Sequence, residues 1–240
     1  MTTAIVVQAR MHSTRLPGKV LRELGGRTVL DHVLRRCAAI SGCDVVVCAI
    51  PEDRDCQPIA DEAERAGAHV VRGPEQDVLA RYLKAASAVS ADIVMRVTSD
   101  CPLIDPIVCG EVLALRQAKG ADYAANNMPH SFPHGLDCEA FTFDALSRAA
   151  REATDAHDRE HVTPWLRRHE SVSRANFATS LHAYSAQRWT LDFPEDYEFF
   201  RAVWSAMDQE RIPGWQEVAA LVAARPDIEA INAIRKQRVS

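Results

Sequence analysis

The chain has 240 residues, 47% hydrophobic and 25% charged, the balance of a globular protein with a sizeable core rather than a disordered or fibrous one. Its 28 lysines and arginines against 33 acidic residues leave a net charge of -5, which argues against a broad nucleic-acid-binding face and makes any cationic site local. The seven cysteines form no Cys-x-x-Cys pair and sit mostly in apolar runs, so they read as reduced core residues of a cytoplasmic protein; no secretory leader or run of about 18 apolar residues indicates export or a membrane partner.

Residues 4–7 form the continuous apolar run of a strand buried on both faces. A cation-rich loop, residues 8–19, follows it. Between 28 and 40 the residues Val29, Leu30, Val33, Leu34 and Cys37 recur at helical spacing, with Gly42 placed to stop the helix. Residues 44–49 predict a second buried strand, 51–55 a polar turn, and Ile59, Ala60, Ala63 and Ala66 a helix ending at Gly67. A short strand at 69–71 leads to a loop at 72–76. Asp77 then caps a helix whose apolar face is Val78, Leu79, Tyr82, Leu83 and Ala86, and residues 92–97 form the fourth strand.

Four strand–helix alternations predict an α/β fold with a parallel, doubly wound sheet, whose ligands bind beyond the carboxyl ends of the strands. That rule gathers the loop after Val7, the turn after Ala49, the 72–77 loop and Thr98-Ser99-Asp100-Cys101-Pro102 onto one edge. Asp105-Pro106 opens a further helix to about 119, with Gly120 beyond it. From 121 to 174 the pattern is irregular: a proline-bearing connection at 126–135, a strand at 136–143, and helical stretches at 145–152 and 157–168. Residues 188–192 read as a strand returning to the sheet, Pro194 as the opening of a helix, and 215–238 as a peripheral helical end. The expectation is one domain, 1–240, with an insertion at about 121–187.

Arg10, Arg15 and Lys19, with Ser13 and Thr14, suit a strand-to-helix turn that holds phosphates, because guanidinium forks and oriented amides match phosphate oxygens. A solvated surface turn is the plainer alternative. Neither G-x-x-x-x-G-K-[ST] nor G-x-G-x-x-G is present, which argues against a kinase-type P-loop and a dinucleotide site. Asp100 and Asp192 each end a predicted strand before a proline-containing turn. Each is either a helix cap or, together, a Mg²⁺ site of two carboxylates completed by phosphate oxygens and water. His157-Asp158-Arg159-Glu160-His161 matches H-x-x-E-H, a zinc-peptidase pattern; the alternative is a polar helix start. His130 and His134 flank a proline-rich loop that is either substrate-side or metal-binding, and Cys101 reads as a small buried thiol.

Several stretches resemble one family. Gln8-Ala9-Arg10-Met11 with Ser13-Thr14-Arg15-Leu16-Pro17-Gly18-Lys19, Asp77-Val78-Leu79-Ala80-Arg81-Tyr82, Thr98-Ser99-Asp100-Cys101-Pro102, Gly135-Leu136-Asp137-Cys138-Glu139, Arg159-Glu160-His161-Val162-Thr163-Pro164 and Leu191-Asp192-Phe193-Pro194-Glu195-Asp196 run in order over roughly the first 200 residues. They resemble the cytidylyltransferases that make CMP-sugars, the acylneuraminate and 3-deoxy-manno-octulosonate enzymes, with the spore coat polysaccharide biosynthesis protein F group as the closest branch.

The resemblance implies a three-layer α/β/α nucleotide-diphospho-sugar transferase (glycosyltransferase A-like) fold with a mainly parallel sheet. It also implies CTP and a sugar or sugar-acid acceptor as substrates, Mg²⁺ as cofactor, and a homodimer built through the insertion. Position by position, Ala9, Arg10, Met11, Ser13, Thr14, Arg15 and Lys19 would hold the nucleotide, with Asp77 and Arg81 near the base. Lys19, Arg10 and Asp100 would be catalytic, Asp100 and Asp192 the metal ligands, and His134, Asp137, Glu139, Glu160 and His161 the acceptor side. His12 stands where the closest branch usually has glycine, and Ser99 where glycine is frequent before the metal aspartate. The expected reaction is in-line attack of an acceptor oxygen on the α-phosphate of CTP. The rivals are a glycosyltransferase on the same fold and a nucleotide-binding protein without turnover.

Overall fold

The computed structural model describes residues 1–180, 184–208 and 211–235. The end of the helical stretch expected at 215–238, and residues 181–183 of the expected insertion, lie outside the described residues.

Strand β1 (Thr3–Gln8) passes through the cation-rich loop and a hairpin, β2 (Glu23–Leu24) and β3 (Arg27–Thr28), into α1 (Val29–Ala38). The Thr28 hydroxyl caps α1 by accepting from Asp31 N. The alternation then continues as expected through β4 (Val45–Pro51), α2 (Gln57–Arg65), β5 (His69–Gly73), α3 (Val78–Ala88), β6 (Ile93–Thr98) and α4 (Pro106–Lys119). β7 (Tyr123–Ala125), β8 (Glu139–Thr142), α5 (Phe143–Glu152), α6 (Ala156–His161), α7 (Pro164–Arg168) and β9 (Arg174–Asn176) follow. The chain closes with α8 (Pro194–Ala206), α9 (Trp215–Ala224) and α10 (Pro226–Ile231).

Seven strands form one sheet in the order β5-β4-β1-β6-β8-β7-β9. β1 runs parallel to β4 and β6, and β4 parallel to β5, while β8 lies antiparallel to β6 and to β7. The strand periodicity sorts β1 between two cores. Ile5 and Val7 pack on the side of Leu30, Val33, Ile59 and Cys109; Ala4 and Val6 pack on the side of Leu79, Tyr82, Leu146 and Leu166. Helices therefore cover both faces of a mainly parallel sheet, the three-layer α/β/α arrangement expected. Six of the seven free cysteines are buried in it. A third apolar cluster joins Leu16, Trp189 and Phe132 to the C-terminal helices.

Four expectations need correction. Residues 188–192 do not return to the sheet; Arg188 forms an isolated parallel bridge with His134, outside the seven strands. Instead Trp189 N donates to the His134 carbonyl at 2.6 Å and Leu191 N to the Asp100 carbonyl at 2.8 Å. Gly135 makes that approach possible: at φ 112, an added Cβ would stand 2.2 Å from the Trp189 carbonyl oxygen. The strand expected at 136–143 shrinks to β8, since Asn126 holds Leu136 O and Cys138 N on one side and Thr142 caps α5 on the other.

The helix expected at 157–168 breaks in two at Val162 (φ 71), because Pro164 has no N–H to continue it and its ring crowds the preceding turn. The C-terminal end is not peripheral. Arg225-Pro226 breaks it into α9 and α10, and Asn232 beyond them donates to the Arg188 carbonyl and to Asp196.

Candidate active site

The carboxyl ends of β1 and β6, the start of α3, the end of α6 and the segment before α8 surround a cleft of about 220 Å³. Ala9, Arg10, Ser13, Thr14, Arg15 and Lys19 line it from the loop, with Asp100, Asp192, Arg81, Glu160 and His161 opposite. A hollow of about 560 Å³ lies between α1 and the end of α8, away from the strand ends, so volume does not locate the chemistry.

Lys19 sits at the centre of the charge arrangement. Its Nζ donates to Asp100 Oδ2 at 2.8 Å, Asp192 Oδ1 at 3.0 Å and the Leu191 carbonyl at 2.8 Å. A Gly18 left-handed turn starts the short helical turn, residues 19–21, that aims it inward. Burial opposes the ammonium charge, but the two carboxylates outweigh it and hold the Lys19 pKa above its ordinary value. Burial likewise pushes the Asp100 carboxyl up; the adjoining ammonium and the Thr98 hydroxyl prevail and hold it below the usual range. Arg15 adds a second cation 3.2 Å from Asp192 Oδ1 and lies 4.5 Å from the centre of the Phe193 ring. Arg10 is exposed at the mouth of the cleft.

Two carboxylates converging on one cation are an oxygen-only donor set, the kind a hard divalent ion takes alongside phosphate oxygens and water. Among the described residues, the one group of three ligand-type side chains close enough for a metal is different: His12 Nε2 is 3.8 Å from both Asp53 and Asp55. All three are solvent-exposed, and they tie the loop to the turn after β4. His157, Glu160 and His161 form no such group. The two imidazole rings lie side by side on α6, 4.4 Å apart, but among the described residues no third ligand-type side chain joins them, so the zinc-peptidase pattern is not completed as a metal site. Burial lowers the His161 pKa, and His157 adds to it.

The remaining expected residues fall into distinct places. Met11 packs on the first core and its carbonyl accepts from Gly18 N at 3.4 Å. Asp77 caps α3 by accepting from Ala80 N at 2.9 Å, and its other oxygen takes Arg159 at 2.6 and 2.8 Å, so it fixes the start of α3 rather than lining the cleft. Arg81 is buried and ties back the 73–76 loop through the Pro74 and Glu75 carbonyls, while its Nε finds no partner. Gln8 Oε1, on the same cleft, is also buried without one.

On the side expected for the acceptor, His130 and His134 each place Nδ1 3.3 Å from a different oxygen of Asp137. Burial raises the Asp137 carboxyl, but the two imidazoles hold it well below the usual carboxylate range; that hydrogen bond in turn raises His134. Glu139 lies in the core instead. It is 1% exposed and saturated by Tyr123 at 2.5 Å, Arg167 at 2.6 Å and Arg96 at 2.8 Å.

Sequence reasoning missed the groups that hold Asp192. Arg188 Nη2 donates to Asp192 Oδ2 at 3.0 Å, and Asp196 fixes Arg188 and the backbone N–H groups of Asp192 and Phe193. The i−4 and i+4 spacing of Arg188 and Asp196 about Asp192 was the signal available.

A family model described as "Cytidylyltransferase" matches residues 4–223. The chain is 31% identical to the spore coat polysaccharide biosynthesis protein SpsF of Bacillus subtilis over 229 residues, 92% of this chain and 94% of that one. It is 32% identical to a 3-deoxy-manno-octulosonate cytidylyltransferase of Aeromonas salmonicida over 134 residues, 54% of this chain and 51% of that one. A solved cytidylyltransferase from Leptospira borgpetersenii superposes with a TM-score of 0.91 at 28% identity, covering 100% of this chain and 99% of its own. With the family match spanning the whole cleft-forming part of the sequence, this chain belongs to the cytidylyltransferase family.

Proposed function

We propose that this protein transfers CMP from CTP to a sugar or sugar-acid acceptor, releasing pyrophosphate, in the synthesis of a surface polysaccharide or glycoconjugate. The observation that carries the reading is the convergence of Asp100 and Asp192 on Lys19 beside Arg15, beyond the carboxyl ends of the sheet.

Lys19, Arg15 and the exposed Arg10 bind the triphosphate, and the Ser13 and Thr14 hydroxyls and loop amides orient it. The same cations stabilise charge as the acceptor oxygen displaces pyrophosphate from the α-phosphorus. Little else is asked of the protein, since orientation alone supplies effective molarities of roughly 10⁵ to 10⁸ M. Asp100 and Asp192 are the residues to hold Mg²⁺, which when bound neutralises phosphate charge and acidifies the acceptor hydroxyl. Arg81 bounds the base side, and Glu160, His161 and the His134–Asp137 pair the acceptor side. The chain acts as a single nucleotidyltransferase domain and a cytoplasmic homodimer joined through 121–187, checked by its mass in solution. Among the described residues no helix is long and apolar enough to cross a membrane.

The test is pyrophosphate release from each of CTP, UTP, ATP and GTP with a panel of sugar acids and sugar phosphates. CTP-dependent release is expected, and full activity in Asp100→Asn would sink the mechanism. Sugar transfer from a nucleotide-sugar without pyrophosphate would make the protein a glycosyltransferase, and tight CTP binding without turnover a binding protein.

A further inference from the structure

We propose that the segment after α9, outside the stretch matched by the family model, is part of the catalytic apparatus: Asn232 is a positioning residue that holds the Asp192 turn against Lys19. The proposal rests on the role given to Asp192 above.

The route is a continuous set of hydrogen bonds. Asn232 is 1% exposed, and its Nδ2 donates to the Arg188 carbonyl at 3.0 Å and to Asp196 Oδ1 at 3.1 Å. Asp196 has no exposed surface. Its Oδ1 also accepts from Arg188 Nε at 2.9 Å, while Oδ2 accepts from Arg188 Nη2 and from the Asp192 and Phe193 amides, each at 3.0 Å. Arg188 Nη2 reaches on to Asp192 Oδ2, leaving Oδ1 for Lys19 and Arg15. A buried carboxylate with five donors is satisfied only if each stays in place. Asn232 is the donor that comes from outside the turn itself.

Two features show that the segment is built for this place. Ile228, 2% exposed, anchors α10 in the third apolar cluster, and Asn232 follows at the end of α10. Arg235 then pairs with Glu195 at 3.1 Å and lays its guanidinium 4.1 Å from the centre of the Phe193 ring, the ring that Arg15 also approaches. The segment therefore grips Phe193, directly after Asp192, and Glu195 in the first turn of α8, as well as the carboxylate beneath them.

The experiment compares the full-length protein with Asn232→Leu, which keeps the branched outline without the amide, and with Arg235→Ala at the surface, which preserves folding if the first does not. Hydrogen exchange of the Asp192 and Phe193 amides is read without metal or nucleotide. Mn²⁺ affinity, as a spectroscopic stand-in for Mg²⁺, and the KM and kcat for CTP are then measured. Expected for Asn232→Leu are about tenfold faster exchange at those two amides and Mn²⁺ binding weakened by about tenfold or more. Arg235→Ala should show the same pattern at smaller amplitude. Unchanged exchange at 192 and 193, or a lower unfolding temperature with Mn²⁺ affinity and kcat both intact, would overturn the proposal. If the unaltered protein bound no Mn²⁺ and turned over no CTP while the amide response appeared, the positioning role would stand and the reaction assigned above would fall.

Discussion

Glu139 and the Asp100–Asp192 pair are both carboxylate–cation clusters, yet they are finished differently. Glu139 spends both oxygens on Arg96, Arg167 and Tyr123 and keeps 1% of its surface. Asp100 and Asp192 keep 24% and 20% of their side-chain surface and share one ammonium. A sealed and saturated cluster has nothing left to offer a ligand, and losing one partner strands a buried charge. An open cluster with a shared cation can exchange partners, so its energy is available to binding and transition-state stabilisation.

Substitutions separate the two. Glu139→Gln leaves Arg96 and Arg167 without their counter-charge and should cost about 3–5 kcal/mol in denaturant unfolding, with kcat of the folded fraction retained. Lys19→Ala should do the reverse: pyrophosphate release falls roughly 10²–10³-fold, with a smaller stability loss than at Glu139. A variant that lost activity and stability in equal measure at both positions would erase the distinction.

Titration sharpens it further. Burial raises the Glu139 carboxyl, but Arg96 and Arg167 prevail, so its folded pKa lies below 4.5. That contribution is fully present above pH 4.5 and is lost as pH falls through the lower folded value. The unfolding temperature of the unaltered protein should drop along this acid limb, and Glu139→Gln should flatten it. The half-exposed His134 gives the smallest effect, with the opposite sign. Its pKa is raised above 6.5, so the stabilisation is present below pH 6.5 and lost as pH rises through the folded value. His134→Asn should remove that alkaline dependence, worth at most about 1 kcal/mol at so exposed a pair.

The same contrast governs what could be read from the sequence. The first half was legible because β1, β4 and β6 are buried apolar runs and each helix repeats its apolar face, with Asp77 and Asp105 as caps; the two-residue hairpin strands β2 and β3 carry no such run and escaped. The strand-end rule also placed Asp100 beside the loop, as its contact with Lys19 shows. β7 and β9 escaped because three residues carry no period, and the apolar alternation of Trp189 and Leu191 reflects burial against α8 and α9 rather than a place in the sheet. The resemblance puts Glu139 on the acceptor side, and its burial is not legible because its partners come from positions 96, 123 and 167, a pairing that no local pattern announces. The Asn232 bridge is invisible for the same reason.

Lys19 meets Asp100 across 81 residues of sequence and Asp192 across 173. Each closure costs chain entropy before it returns any contact energy, so such long-range meetings form late when a protein folds. A nascent chain released past Asp100 carries the parallel strands β1, β4, β5 and β6 and the Lys19–Asp100 pair, but it has no second carboxylate to complete the cluster. On the role proposed for Asp192, catalytic competence is withheld until nearly the whole polypeptide has been made and docked, and a prematurely terminated product is an inert sheet rather than a leaky enzyme.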